Sequence, residues 1–150
     1  MLKSDKGDVS VKDQKSANIA RRMAAQFWGP VQVQKKIGEG IWWFSTARHG
    51  GIVVDTAVRS ALREFQSEVT YRSHYYRSEE QHFAAFEEDC EACKVEWTYP
   101  SVMPSIAAMF RFEGDLDGWI QERIVLIRES LERWNPDWLA QYPEPGWGEK

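Results

Sequence analysis

Residues 38–55, Gly-Glu-Gly-Ile-Trp-Trp-Phe-Ser-Thr-Ala-Arg-His-Gly-Gly-Ile-Val-Val-Asp, constrain the fold more than any other stretch of the chain. Two short runs, 41–46 and 51–54, are dominated by aromatic and β-branched residues and bounded by Gly-containing clusters, which is the signature of paired strands. A polar turn with Arg48, His49 and a Gly pair joins them. Residues 31–37 alternate Val and Gln at their start, as a half-buried strand does, and Gly38-Glu39-Gly40 turns them back onto 41–46. The expectation is a three-stranded antiparallel meander. Trp42, Trp43 and Phe44 in its middle strand put large side chains on both faces, so both faces need a cover.

That cover comes from helices. Ile19, Met23 and Phe27 recur every four residues within 16–28, with Ser16 as the expected cap and Gly29-Pro30 as the stop. Leu116, Ile120, Ile124, Ile127, Leu131 and Trp134 mark a long C-terminal helix, and Asn135-Pro136 breaks it. Between them, Asp55-Thr56 reads as the start of a short helix through Val58, Leu62 and Phe65 to Ser67. Ser78-Glu-Glu-Gln81 reads as a capping box opening a helix through Phe86. A further helix is expected from Phe86 to Trp97, and a connection with one helical turn over 101–109. Residues 69–77 are left as a strand or an irregular connection. The expected fold class is α+β: a small antiparallel sheet with room for a fourth strand, and about four helices. Residues 1–15 are expected to form a flexible arm, 16–142 a single domain, and 143–150 a tail.

Composition limits the function. At 150 residues the chain suits one domain with a proper core. The net charge of −4 argues against direct nucleic-acid binding. No apolar run approaches the ~20 residues of a membrane span, and the N-terminus lacks an apolar signal region, so a cytoplasmic setting is expected. Eight Trp is a heavy load, useful for a core or as anchors in an interface.

Three constellations carry chemistry. His49 at a turn tip, flanked by Thr46 and Arg48, can serve as general acid or base, while Gly50 and Gly51 permit positive φ and free N–H groups for an anion. The same residues also read as a solvated tip with glycines that only shape the turn. Glu87, Glu88, Asp89 and Glu91 read as a helix N-terminus, as a surface for a basic partner, or as carboxylates that bind a divalent metal or orient His49. Cys90-Glu-Ala-Cys93 with His82 upstream resembles half a zinc site or a redox pair. The zinc reading lacks a second Cys pair, so two small buried thiols are expected, with no metal and no cofactor. Walker, G-x-G-x-x-G, G-x-S-x-G and H-E-x-x-H patterns are absent.

The segments Phe44-Ser-Thr-Ala-Arg-His-Gly-Gly-Ile52 and Phe86-Glu-Glu-Asp-Cys-Glu-Ala-Cys-Lys-Val95 resemble a small domain-of-unknown-function family of proteobacterial, phage and plasmid proteins, over residues 40–100. The matching positions are Thr46, His49, Gly50, Gly51, Glu87, Glu88 and Asp89. The resemblance carries no activity. It implies a mobile-element setting and one site made of the turn and the acidic segment.

The leading expectation is a phage-type binding protein. It would inhibit a host protein or ribonucleoprotein complex, such as a CRISPR effector, through Glu87, Glu88, Asp89, Glu91, Arg48 and His49. The alternatives are a structural or regulatory interaction module, and a small enzyme on a phosphate-containing substrate. The enzyme would use His49 as acid/base, Arg48 as anion clamp, and Glu88 or Asp89 as orienter or metal ligand.

Overall fold

A computed structural model describes residues 11–62, 73–77 and 82–150. Its elements are α1 (Val11–Trp28), β1 (Val33–Gly38), β2 (Ile41–Ser45), β3 (Gly50–Asp55), β4 (Ser73–Arg77), β5 (His82–Glu87), α2 (Ala92–Thr98), α3 (Met103–Met109), α4 (Leu116–Trp134) and α5 (Pro136–Gln141). The expected meander is present and grows to five antiparallel strands in the order β1-β2-β3-β5-β4. The class is α+β.

Side chains alternate across the sheet with a period of two. Trp42, Phe44, Val53, Phe83 and Ala85 pack with Ala20, Met23, Ala24 and Trp28 of α1. Ile41, Ile52, Val54, Ala84 and Phe86 join Val95, Trp97, Met103 and Ile106 of α2 and α3. Helix α4 rests on α2 and α3, and α5 rests on α4. Both faces of the sheet are therefore covered, as the Trp-Trp-Phe run required.

Several expectations are corrected. Helix α1 starts at Val11, so 11–15 belong to it and Ser16 is not its cap; Ser16 is buried and its hydroxyl donates to Asp55 Oδ2 at 3.0 Å. Lys and Gln there are adequate helix formers and nothing in 11–15 stops the helix. Residues 1–10 lie outside the described residues. The helix expected through Phe86 is strand β5. Its run Phe-Ala-Ala-Phe is apolar on both faces because both faces are buried, so the sequence shows no alternation. Pairing of Ile52 with Phe86 and Val53 with Ala85 decides the conformation. The proposed capping residues 78–81 lie outside the described residues.

After β3, Asp55 accepts from Ala57 N at 3.0 Å through Oδ1 and from Val58 and Arg59 N through its carbonyl. The chain then forms a turn and a short 3-10 segment through Leu62 instead of the expected α-helix; residues 63–67 lie outside the described residues. Helix α2 begins at Ala92, not Phe86, which leaves the acidic residues in a strand end and a turn. Within 101–109 there is a full helix, α3, preceded by a 3-10 turn (Pro100–Val102). On α4 only Ile127 and Leu131 of the periodic stripe are buried; Leu116 and Trp134 are exposed.

Residues 143–150 pack on the domain. Trp147 stacks on Tyr142 with ring centroids 4.0 Å apart, Trp97 Nε1 donates to Tyr142 O at 2.7 Å, and Gly146 N donates to Trp97 O at 2.7 Å. A polar-looking Pro/Gly segment is thus strapped to the core by its one tryptophan.

Candidate functional site

The turn between β2 and β3 is built by Thr46. Its N–H donates to His49 O at 2.8 Å, and its hydroxyl accepts from His49 N at 3.1 Å. The same hydroxyl lies 2.8 Å from Trp28 O, which ties the turn to the end of α1. Arg48 and His49 project from it, exposed.

The Gly pair does something other than expected. Neither Gly50 nor Gly51 has a positive φ, and both are residues of β3, paired with Ser45 and Phe44. An anion-binding nest is not formed. The glycines instead permit close approach: a Cβ on Gly51 would collide with Phe86 O and sit 2.6 Å from the Trp28 ring. On Gly50 it would sit 2.7 Å from Phe44 O and 3.2 Å from Glu88 Oε2.

Pairing of β3 with β5 sets Glu87 opposite Gly51, and Glu88 N donates to Gly50 O at 2.8 Å. The acidic turn therefore does come to the histidine. The residue that meets it is Glu87, with Oε1 3.2 Å from His49 Nδ1, rather than Glu88 or Asp89. His49 is half exposed at 51% and Glu87 is 23% exposed, so the pair lies at the rim of the sheet. Glu88 has its pKa raised, first by burial and then by the like charges of Asp89 and Glu87, with His49 opposing. Asp89 adopts φ 76, a left-handed conformation that costs a non-glycine residue energy. Glu91 leaves this surface: it is buried and pairs with Lys94 Nζ at 3.3 Å.

A raised carboxyl means that Glu88 adds to stability below its ordinary value near 4.5 and that this contribution is lost as pH rises through the folded-state value. Glu88→Gln is accordingly expected to melt higher than the parent near neutrality, with the difference vanishing at acid pH. Thermal melts of both proteins across that range test it; an equal or lower melting temperature near neutrality contradicts it.

Both cysteines are free thiols. Cys93 Sγ lies 3.1 Å from Asp89 O and 3.6 Å from Ser130 Oγ, and burial pushes its pKa up to about 11. Such a thiol is protonated near neutrality and a poor nucleophile. His82 begins β5 while Cys90 follows its other end, so the strand separates them. Among the described residues no group of three or more His, Cys, Asp or Glu is placed to hold a metal ion.

A second constellation was hidden in the sequence. Trp43 meets Phe110 edge-on with centroids 6.3 Å apart, and Arg123 lies 5.6 Å from the Phe110 ring and 5.5 Å from that of Trp119. Phe112 continues the row at 6.0 Å from Trp119. Glu96, buried in α2, fixes Arg123 by two hydrogen bonds of 2.8 and 3.1 Å. Phe110 is 53% exposed, so the row opens to solvent. Only the i,i+4 spacing of Trp119 and Arg123 on α4 hinted at it.

Fold and site together define an α+β domain with helices on both faces of an antiparallel sheet and a His–carboxylate corner at its rim. The chain belongs to the family described as a domain of unknown function, DUF7007, which it matches over residues 21–145. That span includes the C-terminal part of α1 and all of α4, so family membership reaches well beyond the 40–100 expected from the two motifs. No curated protein and no solved structure matches the chain. Among the described residues no helix is long and apolar enough to cross a membrane.

Proposed function

We propose that this chain is a binding protein that acts by occupying a basic surface of a macromolecular partner. The observation that supports this most is the convergence of Glu87, Glu88 and Asp89 at one corner of the sheet, with Glu88 pushed up first by burial and then by the charges of Asp89 and Glu87, and Asp89 in a strained conformation. Like charges held this close repel one another, and a cationic partner relieves that repulsion on contact. Strain that the rest of the fold sustains at such a corner is a mark of use. The exposed aromatic–arginine row is the kind of rigid anchor that dominates interface energies. In the finer form of the proposal, the protein serves a mobile element as an equimolar inhibitor of a host complex whose basic channel holds nucleic acid, such as a CRISPR effector. The net charge of −4 suits competition for such a channel.

Affinity purification of the tagged chain from host cells is expected to yield an equimolar complex that weakens with added salt. A Glu87→Lys/Glu88→Lys double variant, checked for folding, is expected to lose it. Recovery of no equimolar partner, or full retention by the double variant, contradicts the proposal.

The His49–Glu87 contact supports a second reading, in which Glu87 orients His49 as an acid/base group for a phosphate-containing substrate beside Arg48. Full biological activity in His49→Ala would remove it.

A further inference from the structure

The turn from α3 into α4 carries an apolar face that shares no residue with the acidic corner. Helix α3 closes with Arg111 N donating to Ala108 O and Phe112 N donating to Ala107 O, each at 3.0 Å, and Arg111 stands at φ 56. That is a Schellman stop with arginine in the left-handed position that glycine usually takes. It sets Phe110 against Trp43 and Phe112 against Trp119. Phe110, Phe112 and Leu116 are exposed, with Trp43 and Trp119 half-buried between them. We infer that this face docks an arginine-rich segment of a protein partner. The inference rests on the reading of the chain as a binding protein and adds a second surface to it.

A contiguous exposed aromatic face is a mark of an interaction site. This one is held rigid from behind. Buried Glu96 fixes Arg123 by two hydrogen bonds, and the Arg123 guanidinium spans the Phe110 and Trp119 rings.

The rim supplies the sign of the partner. Glu113, Asp115, Asp117 and Glu122 are exposed, and none of them forms an ion pair among the described residues. Arg111 stands exposed among them, while the charge of Arg123 is taken up by Glu96. Asp115 and Asp117 also suit the N-terminus of α4, but the dipole effect fades within one turn. Glu113 precedes the cap and Glu122 lies in the second turn, so the helix end does not account for them.

An acidic rim discriminates between occupants. A second copy of this chain would press like charges together, and nucleic acid or an anionic membrane would be repelled in the same way. A cationic segment is drawn in. Guanidinium suits the face better than ammonium, because its plane stacks on aromatic rings and its fork pairs with carboxylates. Arg123 already shows the mode, lying 5.6 and 5.5 Å from two ring centroids while bonded to a carboxylate.

The test is calorimetric titration of the full chain, near physiological salt, with an acetylated peptide of alternating arginine and serine. Versions with lysine and with glutamate in place of arginine are run beside it. The arginine peptide is expected to bind saturably at about 100 μM or tighter, the lysine peptide about threefold more weakly, and the glutamate peptide not at all. Phe112→Ala and Glu122→Lys, both surface changes, are each expected to weaken binding about tenfold with the circular dichroism spectrum unchanged. Glu87→Lys/Glu88→Lys is expected to bind the arginine peptide as the parent does, so failure here and failure at the acidic corner are read separately. The inference is overturned by no saturation up to about 1 mM arginine peptide, or by unchanged affinity in both surface variants. It is equally overturned if the glutamate peptide binds as tightly, if the Glu87/Glu88 variant alone abolishes binding, or if the chain is a dimer that Phe112→Ala dissociates.

Discussion

Replacing Gly51 with alanine is expected to destabilise the protein by about 3 kcal/mol, the upper part of the range for overpacking a filled site. The added methyl would meet Phe86 O, which is backbone, and the Trp28 ring at 2.6 and 2.7 Å. Neither neighbour can yield cheaply. Phe86 is 1% exposed in the strand that pairs with β3, and Trp28 is 6% exposed, wedged between α1 and the sheet. Relief would require α1 to lift from the face it shares with Trp42, Phe44 and Val53. Urea unfolding of Gly51→Ala beside His49→Ala measures the contrast. His49 is half exposed and the turn is held by Thr46, so its truncation is expected to cost within about 0.5 kcal/mol. Equal losses in the two variants would refute the assignment of the glycine to packing and the histidine to the surface.

Arg123→Met is expected to cost about 3–5 kcal/mol near neutrality, because it strands the Glu96 carboxylate in the core. Glu96 has a side chain 3% exposed, and both of its oxygens accept from Arg123. Burial pushes the Glu96 carboxyl above its ordinary value, and the guanidinium pulls it back down; in the variant only the upward push remains. A group raised in the folded state contributes its stability fully below the unfolded value and loses it as pH rises through the folded value. The variant's deficit should therefore be smallest near pH ~4 and grow toward pH ~8. Methionine retains the apolar stem against Phe110 and Trp119, which isolates the electrostatic part. A Glu96→Leu/Arg123→Met double variant is expected to recover most of the loss, since replacing both members of a buried pair is often neutral. A deficit that does not change with pH would contradict this account.

The two ends of the site differed in how readable they were. The turn at His49 was legible because its determinants are local: Thr46, the Gly pair and two β-branched runs lie within a few residues of one another. The acidic segment was legible as chemistry but not as structure. Helix-favouring carboxylates ahead of an apolar stretch suggested a helix start at Phe86, whereas the residues before Glu88 form a central strand. A strand covered on both faces loses the alternation that identifies strands, so Phe83-Ala-Ala-Phe86 carries no periodic signal. The same masking hid the partner of His49, because only the β3–β5 register selects Glu87 over Glu88 and Asp89.

Local patterns sufficed for the parts whose physics is local. The β1–β2–β3 meander, the stop at Gly29, the long helix 116–134 and the α+β class all follow from apolar periodicity and turn chemistry in short windows. Tertiary structure decided whatever depends on contacts between distant residues. It turned Gly50 and Gly51 from presumed left-handed turn residues into points of close approach to Trp28 and Glu88. It buried Glu91 against Lys94 and Glu96 against Arg123, which sequence alone shows only as charges. It also drew the 143–150 segment onto the core through Trp97, Tyr142 and Trp147. Burial and strand pairing are properties of the assembled layers; even the i,i+3 pair Glu91–Lys94 shows in the sequence as two charges and not as a buried contact.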